Sequence, residues 1–267
     1  MTAPEQQPVA SCQTPKQHYE EVAAAYEQAF FYSSVEYRDW ILQHVLHHFQ
    51  LPAQNGADVK VVDLGGGTGN FSQALAEAAL VDSVLCVDMF REMLGHAEKR
   101  ACVKTLHLDA VAFSELPPSQ MRYSHILLKE LIHHIPADQQ CHMYQGLRSQ
   151  LQPGGVIVTV TRPQEVDYPL FEAAREVWRQ NQPASSAVLA AMKHAGLDVE
   201  ECSYVYTAEL PLDTWCDMVR QRFWSTFTHF TDAQLEAGIQ EIKAAHKCRQ
   251  TVRFNDKLLF LVARKWD

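Results

Sequence analysis

The segment VVDLGGGTGNFSQALAE, residues 61–77, carries the strongest pattern in the chain. An apolar, β-branched run ends in an acid, Asp63, passes through a glycine-rich turn and continues with apolar residues at helical spacing. Gly65, Gly67 and Gly69 permit positive φ and let the backbone approach a ligand closely. The unpaired N–H groups of the following helix would lie beside that ligand. The same turn also serves as a plain strand-to-helix connection, so its context has to choose between the two. The pattern is G-x-G-x-G, with Asn70 where a dinucleotide fingerprint calls for Gly or Ala, and this counts against a nicotinamide cofactor.

Outward from this turn, short apolar runs alternate with helical segments: VKVVDL (59–64), SVLCVD (83–88), VKTLHL (103–108), YSHILL (123–128) and VIVTVT (156–161). Alternation at this pitch predicts βαβ units and a parallel sheet with helices on both faces. Runs apolar on both sides of the pleat, such as VIVTV, suit a sheet buried on both faces. Further on, the spacing predicts helices near 166–180 and 185–195, a strand near 198–206, a helical insertion at 211–246 and a last strand at 257–264. Before the sheet, residues 18–50 read as a helical cap of two helices, closed by the break LPAQNGAD. Residues 1–17 have too few apolar side chains to bury and read as a flexible tail, leaving 18–267 as one domain.

Two further acids stand where strands end. Asp88 closes the second strand, nineteen residues after Gly69, where a carboxylate can accept both hydroxyls of a ribose. Asp109, with Ala110 after it, follows the third strand in HLDAVAF, where an acceptor and a backbone N–H suit an adenine edge. The competing reading of each acid is a plain helix cap.

With these motifs in order, residues 59–163 resemble the class I S-adenosylmethionine (SAM)-dependent methyltransferases, in particular the small-molecule subgroup with a UbiE-like or type-11 domain. VVDLGGGTGN, VDMF, LDAV, LLKELIHHI and LQPGGVIVTV carry the resemblance. It implies a doubly wound α/β fold, a seven-stranded, mostly parallel Rossmann-like sheet of order 3-2-1-4-5-7-6 with the seventh strand antiparallel. It also implies SAM as cofactor, with S-adenosylhomocysteine as product. Asp63 and the Gly65, Gly67 and Gly69 turn would hold its methionine part, Asp88 the ribose, and Asp109 with Ala110 the adenine. Met89 falls in the same cofactor site, and Lys129 would offer its backbone carbonyl to the cofactor's amino group.

Methyl transfer from a sulfonium needs alignment and desolvation more than acid–base help. Where the acceptor must lose a proton, His133, His134 or Glu130 in KELIHHIP, just beyond the fourth strand, are the candidate catalytic groups. The segment HYEEVAAAYEQAFFYSS resembles a Tyr-containing cap, which nominates Tyr26 for the cofactor and Tyr19 for the substrate; core packing is the competing reading. The insertion 211–246, a substrate lid on this reading, contributes Trp215, Arg222 and Trp224, and Arg162 after the fifth strand is another anion contact. The competing reading of the insertion is a solvated helix face with its aromatic residues packed inward.

Composition narrows the partners. A net charge of −9 without a basic run disfavours nucleic acid. No apolar stretch spans a membrane, the N-terminus does not read as a signal peptide, and seven scattered cysteines suit a reducing, cytoplasmic compartment. The histidines lack the companions of a metal site, so none is expected. The expected protein is a monomeric or homodimeric enzyme that methylates a carboxylate- or amine-bearing small molecule. The alternatives are a non-catalytic subunit on the same fold and, with less support, an NAD-dependent oxidoreductase.

Overall fold

A computed structural model of the chain describes residues 34–51, 59–118 and 122–267. The expected tail at 1–17, the first cap helix with Tyr19 and Tyr26, and the break at 52–58 lie outside the described residues. The described elements are α1 (Val35–Phe49), β1 (Val61–Leu64), α2 (Asn70–Ala79), β2 (Val84–Asp88), α3 (Arg91–Ala97), β3 (Val103–His107), α4 (Ala110–Glu115), β4 (Tyr123–Lys129), α5 (Ala137–Gln150), β5 (Leu151–Thr161), α6 (Glu172–Asn181), α7 (Ser185–His194), β6 (Asp198–Pro211), α8 (Leu212–Arg220), α9 (Asp232–Ala245) and β7 (Thr251–Arg264). Short 3-10 turns occupy Ile132–His134 and Ser225–His229.

The strands form one sheet in the order β3-β2-β1-β4-β5-β7-β6. β1 to β5 run parallel, and β7 lies antiparallel between β5 and β6. This is the expected doubly wound α/β topology. Both faces are covered, so all four residues of β1 are buried. Val61 and Leu127 belong to the core shared with α1, α2, α6, α8 and α9. Val62, Leu64, Ile126 and Leu128 face the core shared with α4, α5 and α7.

β7 shows how coverage writes itself into sequence. Residues 251–257 alternate exposed and buried, whereas Leu258 to Ala263 are all buried. The change comes where β5 joins as a second neighbour, from Leu259 onward. In the sequence only the continuous part, 257–264, reads as a strand, because TVRFNDK lacks an apolar run. β6 is likewise longer than 198–206, because its outer half pairs with the alternating half of β7.

Candidate functional site

A cleft of about 530 Å3 opens at the C-terminal ends of β1 to β4, against α1. Reversal of strand order between β1 and β4 leaves such a crevice in any doubly wound sheet. Asp63, Asp88 and Asp109 all line it, as do Gly65, Gly67, Met89, Ala110, Lys129, Glu130 and His134.

The glycine-rich turn is tied to both neighbouring strands. Gly65 and Gly66 donate backbone N–H bonds to the carbonyl of Val87, at 2.7 and 3.2 Å. Gly67 donates to Oδ2 of Asp88 at 2.9 Å, and Phe90 donates to Oδ1 at 2.8 Å. Each oxygen of Asp88 retains a lone pair, so the carboxylate can brace the turn and still receive a diol. Burial raises its pKa, partly offset by those N–H donors. Gly67, at φ +56°, has open space where a side chain would begin. Gly69 does not line the cleft; a Cβ there would come within 2.8 Å of Ala97 Cβ, so this glycine serves the approach of α3.

Asp63 is 1% exposed, and its Oδ2 accepts from the Ser72 hydroxyl at 2.7 Å. Burial raises its pKa, while Ser72 and the charge of Lys129 oppose the rise. Asp109 caps α4: its Oδ1 accepts from the N–H groups of Val111 (3.0 Å) and Ala112 (2.9 Å), leaving Oδ2 for a ligand. The capping and binding readings are therefore compatible. Lys129 reaches into the cleft with Nζ 5.2 Å from the Phe71 ring centroid, and burial lowers its pKa.

At the other end of the cleft, Glu130 adopts φ +57°, a left-handed conformation that costs a non-glycine residue about 1–3 kcal/mol. Its Oε2 accepts from Nη1 of Arg162 at 2.5 Å. His134 stands beside it on the cleft wall, its ring centroid 4.1 Å from that of His133. His133 turns inward: its Nδ1 is buried and makes no hydrogen bond among the described residues. Burial and the charge of Arg162 push its pKa down to about 4.

The substrate residues nominated from sequence take other places. Arg162 is 4% exposed and lies in a buried network. Its Nε donates to Asp256 Oδ1 (3.0 Å) and to the Tyr168 hydroxyl (2.6 Å), and its Nη2 to Asp256 Oδ2 (3.1 Å) and the Tyr37 hydroxyl (2.9 Å). Both tyrosine hydroxyls also donate to Asp256. Burial alone would lower the pKa of Arg162, but Asp256 and Glu130 raise it well above its usual value. Its anions are thus supplied by the protein. Arg222 pairs with Asp232 at 2.6 Å and with the carbonyl of Phe230 at 3.1 Å, away from the cleft. Trp215 is fully buried, with Nε1 donating to the carbonyl of Pro169, and Trp224 packs against Trp178 and Tyr168. The inward packing of the insertion's aromatic residues outweighs an exposed lid face, because α8 and α9 must cover the half of β6 and β7 that β5 leaves bare. None of the described residues 211–246 lines the cleft.

Several cleft residues escaped the sequence reading. Arg38 and Ile41 come from α1, Phe71 from α2, and Pro136 and Gln139 from the start of α5. Asp256 had a signal: it is the one acid on the inward side of Val252, Phe254 and Leu258.

The donor set fits SAM. Carboxylates stand at three successive strand ends, a side-chain-free turn lies between the first two, and the space runs from Asp109 past Asp88 to Asp63. A sequence profile of the methyltransferase domain family matches residues 61–155. The chain is 29% identical over 136 residues to trans-aconitate 2-methyltransferase of Methylobacterium nodulans, covering 51% of this chain and 49% of that protein. It thus spans about half the length of that curated relative. Phosphoethanolamine N-methyltransferase 2 of Haemonchus contortus, solved with phosphomonomethylethanolamine and S-adenosylhomocysteine, superposes with a TM-score of 0.59 at 19% identity, over 97% of this chain and 61% of that one. The YcgJ protein of Bacillus subtilis superposes with a TM-score of 0.57 at 17% identity, over 84% of this chain and 99% of that one. Residues 61–155 match the methyltransferase domain family, and the chain has the fold of the solved methyltransferases on which it superposes.

Proposed function

We propose that the chain transfers a methyl group from SAM to a small-molecule acceptor carrying a carboxylate or an amine. The observation that carries this reading is the cleft in which Asp63, Asp88 and Asp109 line one wall at successive strand ends. When bound, SAM supplies an electrophilic methyl for in-line displacement from its sulfonium. Asp88 receives the ribose hydroxyls, Asp109 and Ala110 the adenine edge, with Met89 beside them. Asp63 and the turn through Gly65 and Gly67 receive the methionine end, and the Lys129 carbonyl accepts from its amino group. Glu130 and His134 face the acceptor and take its proton where it has one to lose. His133, with Nδ1 turned inward, stays neutral behind His134.

The likeness to trans-aconitate 2-methyltransferase supports a carboxylate acceptor, and that to phosphoethanolamine N-methyltransferase 2 an amine. The net charge of −9 favours a free small molecule over nucleic acid. No described helix is long and apolar enough to cross a membrane. Six cysteines among the described residues are free, which suits a cytoplasmic enzyme, monomeric or homodimeric.

The test is calorimetric titration with S-adenosylhomocysteine, followed by transfer of a labelled methyl group into a metabolite extract. Micromolar binding and a labelled product are expected. Mild alkali releases labelled methanol from a methyl ester but leaves an N-methyl group in place. A folded protein that binds neither SAM nor S-adenosylhomocysteine at millimolar ligand overturns the reading.

A further inference from the structure

Glu130 and Arg162 directly follow β4 and β5, two adjacent parallel strands, and their side chains meet at the cleft. The left-handed turn at Glu130 keeps its backbone N–H on the Val160 carbonyl at 2.9 Å, while the residue stays on the cleft wall. Such strain persists only where the surroundings hold it, and here Arg162 does so. Its Nη1 holds Oε2 of Glu130, and the guanidinium is fixed from behind by Asp256, Tyr37 and Tyr168. Oε1 of Glu130 accepts no hydrogen bond among the described residues.

The charges around Glu130 do not cancel. Lys129 feels Asp63 as well as Glu130, and Arg162 is shared between Glu130 and Asp256. Three carboxylates thus stand against two cations, which leaves one negative charge over. Asp256 is sealed in the core and Asp63 is taken by the cofactor on the reading above, so the charge is presented at Glu130. A carboxylate-bearing acceptor would need the reverse, a cation to receive it. Arg38, the one arginine lining the cleft among the described residues, gives Nε and Nη2 to its neighbour Asp39. His134 stays neutral, because burial and His133 push its pKa down to about 3. Leu131, Ile135 and Pro136 add apolar surface to the cleft.

We infer that the acceptor is an amine on an apolar body, bound as an ammonium by Glu130, and that Arg162 is the positioning residue that sets this carboxylate. The inference rests on the methyl-transfer reading above and narrows its acceptor from two classes to one. An ammonium brings three donors, and Oε1 takes one of them in a charge-assisted bond. A carboxylate in the same place would face Glu130 and lose affinity by like-charge repulsion.

Three probes that differ only in their terminal group test this: hexylamine, hexan-1-ol and hexanoate, each titrated into the chain saturated with S-adenosylhomocysteine. Hexylamine is expected to bind at least tenfold tighter than hexanoate, roughly the factor for one charge-assisted bond. Methyl label transferred into a metabolite extract should sit in products that survive mild alkali and are retained by a cation exchanger. Glu130→Gln should bring the three probes within about threefold of one another, with S-adenosylhomocysteine affinity within about twofold of wild type. Glu130→Asp, which keeps the charge, should restore part of the preference. Arg162→Lys keeps the cation but gives up the fork, and should weaken hexylamine by about three- to tenfold while leaving hexan-1-ol unchanged. A general loosening of the core would weaken both. The inference is overturned if the wild type binds hexylamine no tighter than hexanoate, or if Glu130→Gln keeps the preference. Label released by alkali as methanol also overturns it, yet leaves methyl transfer itself standing. The wild-type comparison holds even where a variant fails to fold. A wild-type chain that binds no S-adenosylhomocysteine and labels nothing overturns the methyl-transfer reading, a result distinct from failure of the amine assignment.

Discussion

The backbone N–H of Gly67 donates to Oδ2 of Asp88 at 2.9 Å, so the turn after β1 and the acid closing β2 form one unit. Asp88→Ala removes the proposed acceptor for a ribose and the brace of the turn together. SAM affinity should fall by about 1.5–3 kcal/mol, measured by calorimetry with S-adenosylhomocysteine. Unchanged affinity would place the ribose elsewhere.

Two glycines of the same turn should respond differently to alanine. Gly69→Ala adds a methyl within 2.8 Å of Ala97 Cβ at φ +72°, and should cost stability, about 1–3 kcal/mol. Gly67→Ala meets no protein atom within 4 Å, so it carries only the strain of φ +56°, about 1 kcal/mol. Its main effect should be on cofactor affinity, if the proposed cofactor approaches there. Urea denaturation and ligand titration, run on both variants, separate the two; equal losses of affinity at equal stability would contradict this division.

The Arg162 network should matter for stability more than any surface pair. Asp256 has no exposed side-chain surface and satisfies Arg162, Tyr37 and Tyr168 at once. Asp256→Ala leaves the buried guanidinium with Glu130 as its one carboxylate partner among the described residues and should destabilise by about 3–5 kcal/mol. A urea midpoint within error of the wild type would refute this.

Arg222→Gln provides the contrast. Its partner Asp232 is 90% exposed, so the pair should contribute less than about 1 kcal/mol. The KM for the acceptor should not move, since Arg222 stands outside the cleft. A large rise in KM would return this residue to the substrate site.

His125 makes stability depend on pH. It is 7% exposed, with Nε2 2.9 Å from the Phe49 carbonyl and Nδ1 2.8 Å from the Ser124 hydroxyl. Burial pushes its pKa down to about 4, below the ordinary value of 6.5. The unfolded chain therefore binds a proton that the folded chain refuses between these values. Stability is complete above about pH 6.5 and is lost progressively as pH falls toward 4, by a few kcal/mol from this group. His125→Gln should flatten that slope, read as the difference between variant and wild-type urea midpoints at pH 7.5 and pH 4.5; parallel slopes would exclude His125 as the source.

Local sequence patterns sufficed for the sheet and for the end of the cleft where Asp63, Asp88 and Asp109 meet. Strand runs, the turn at 61–77 and the acids at 88 and 109 are local patterns, and a doubly wound sheet always brings the C-terminal ends of adjacent strands together. Asp63, Asp88, Asp109 and Lys129 could therefore be placed from spacing and resemblance, and all line one cleft. The tertiary structure alone decided which charges stay free. Arg162 and Arg222 look equivalent as sequence, yet Asp256, ninety-four residues from Arg162, neutralises one, and Asp232 pairs with the other. The aromatic residues of 211–246 have the spacing of a lid, but packing turned Trp215 inward because the outer halves of β6 and β7 needed cover. Whether a charge meets its partner depends on contacts between segments distant along the chain, and local periodicity carries no record of those.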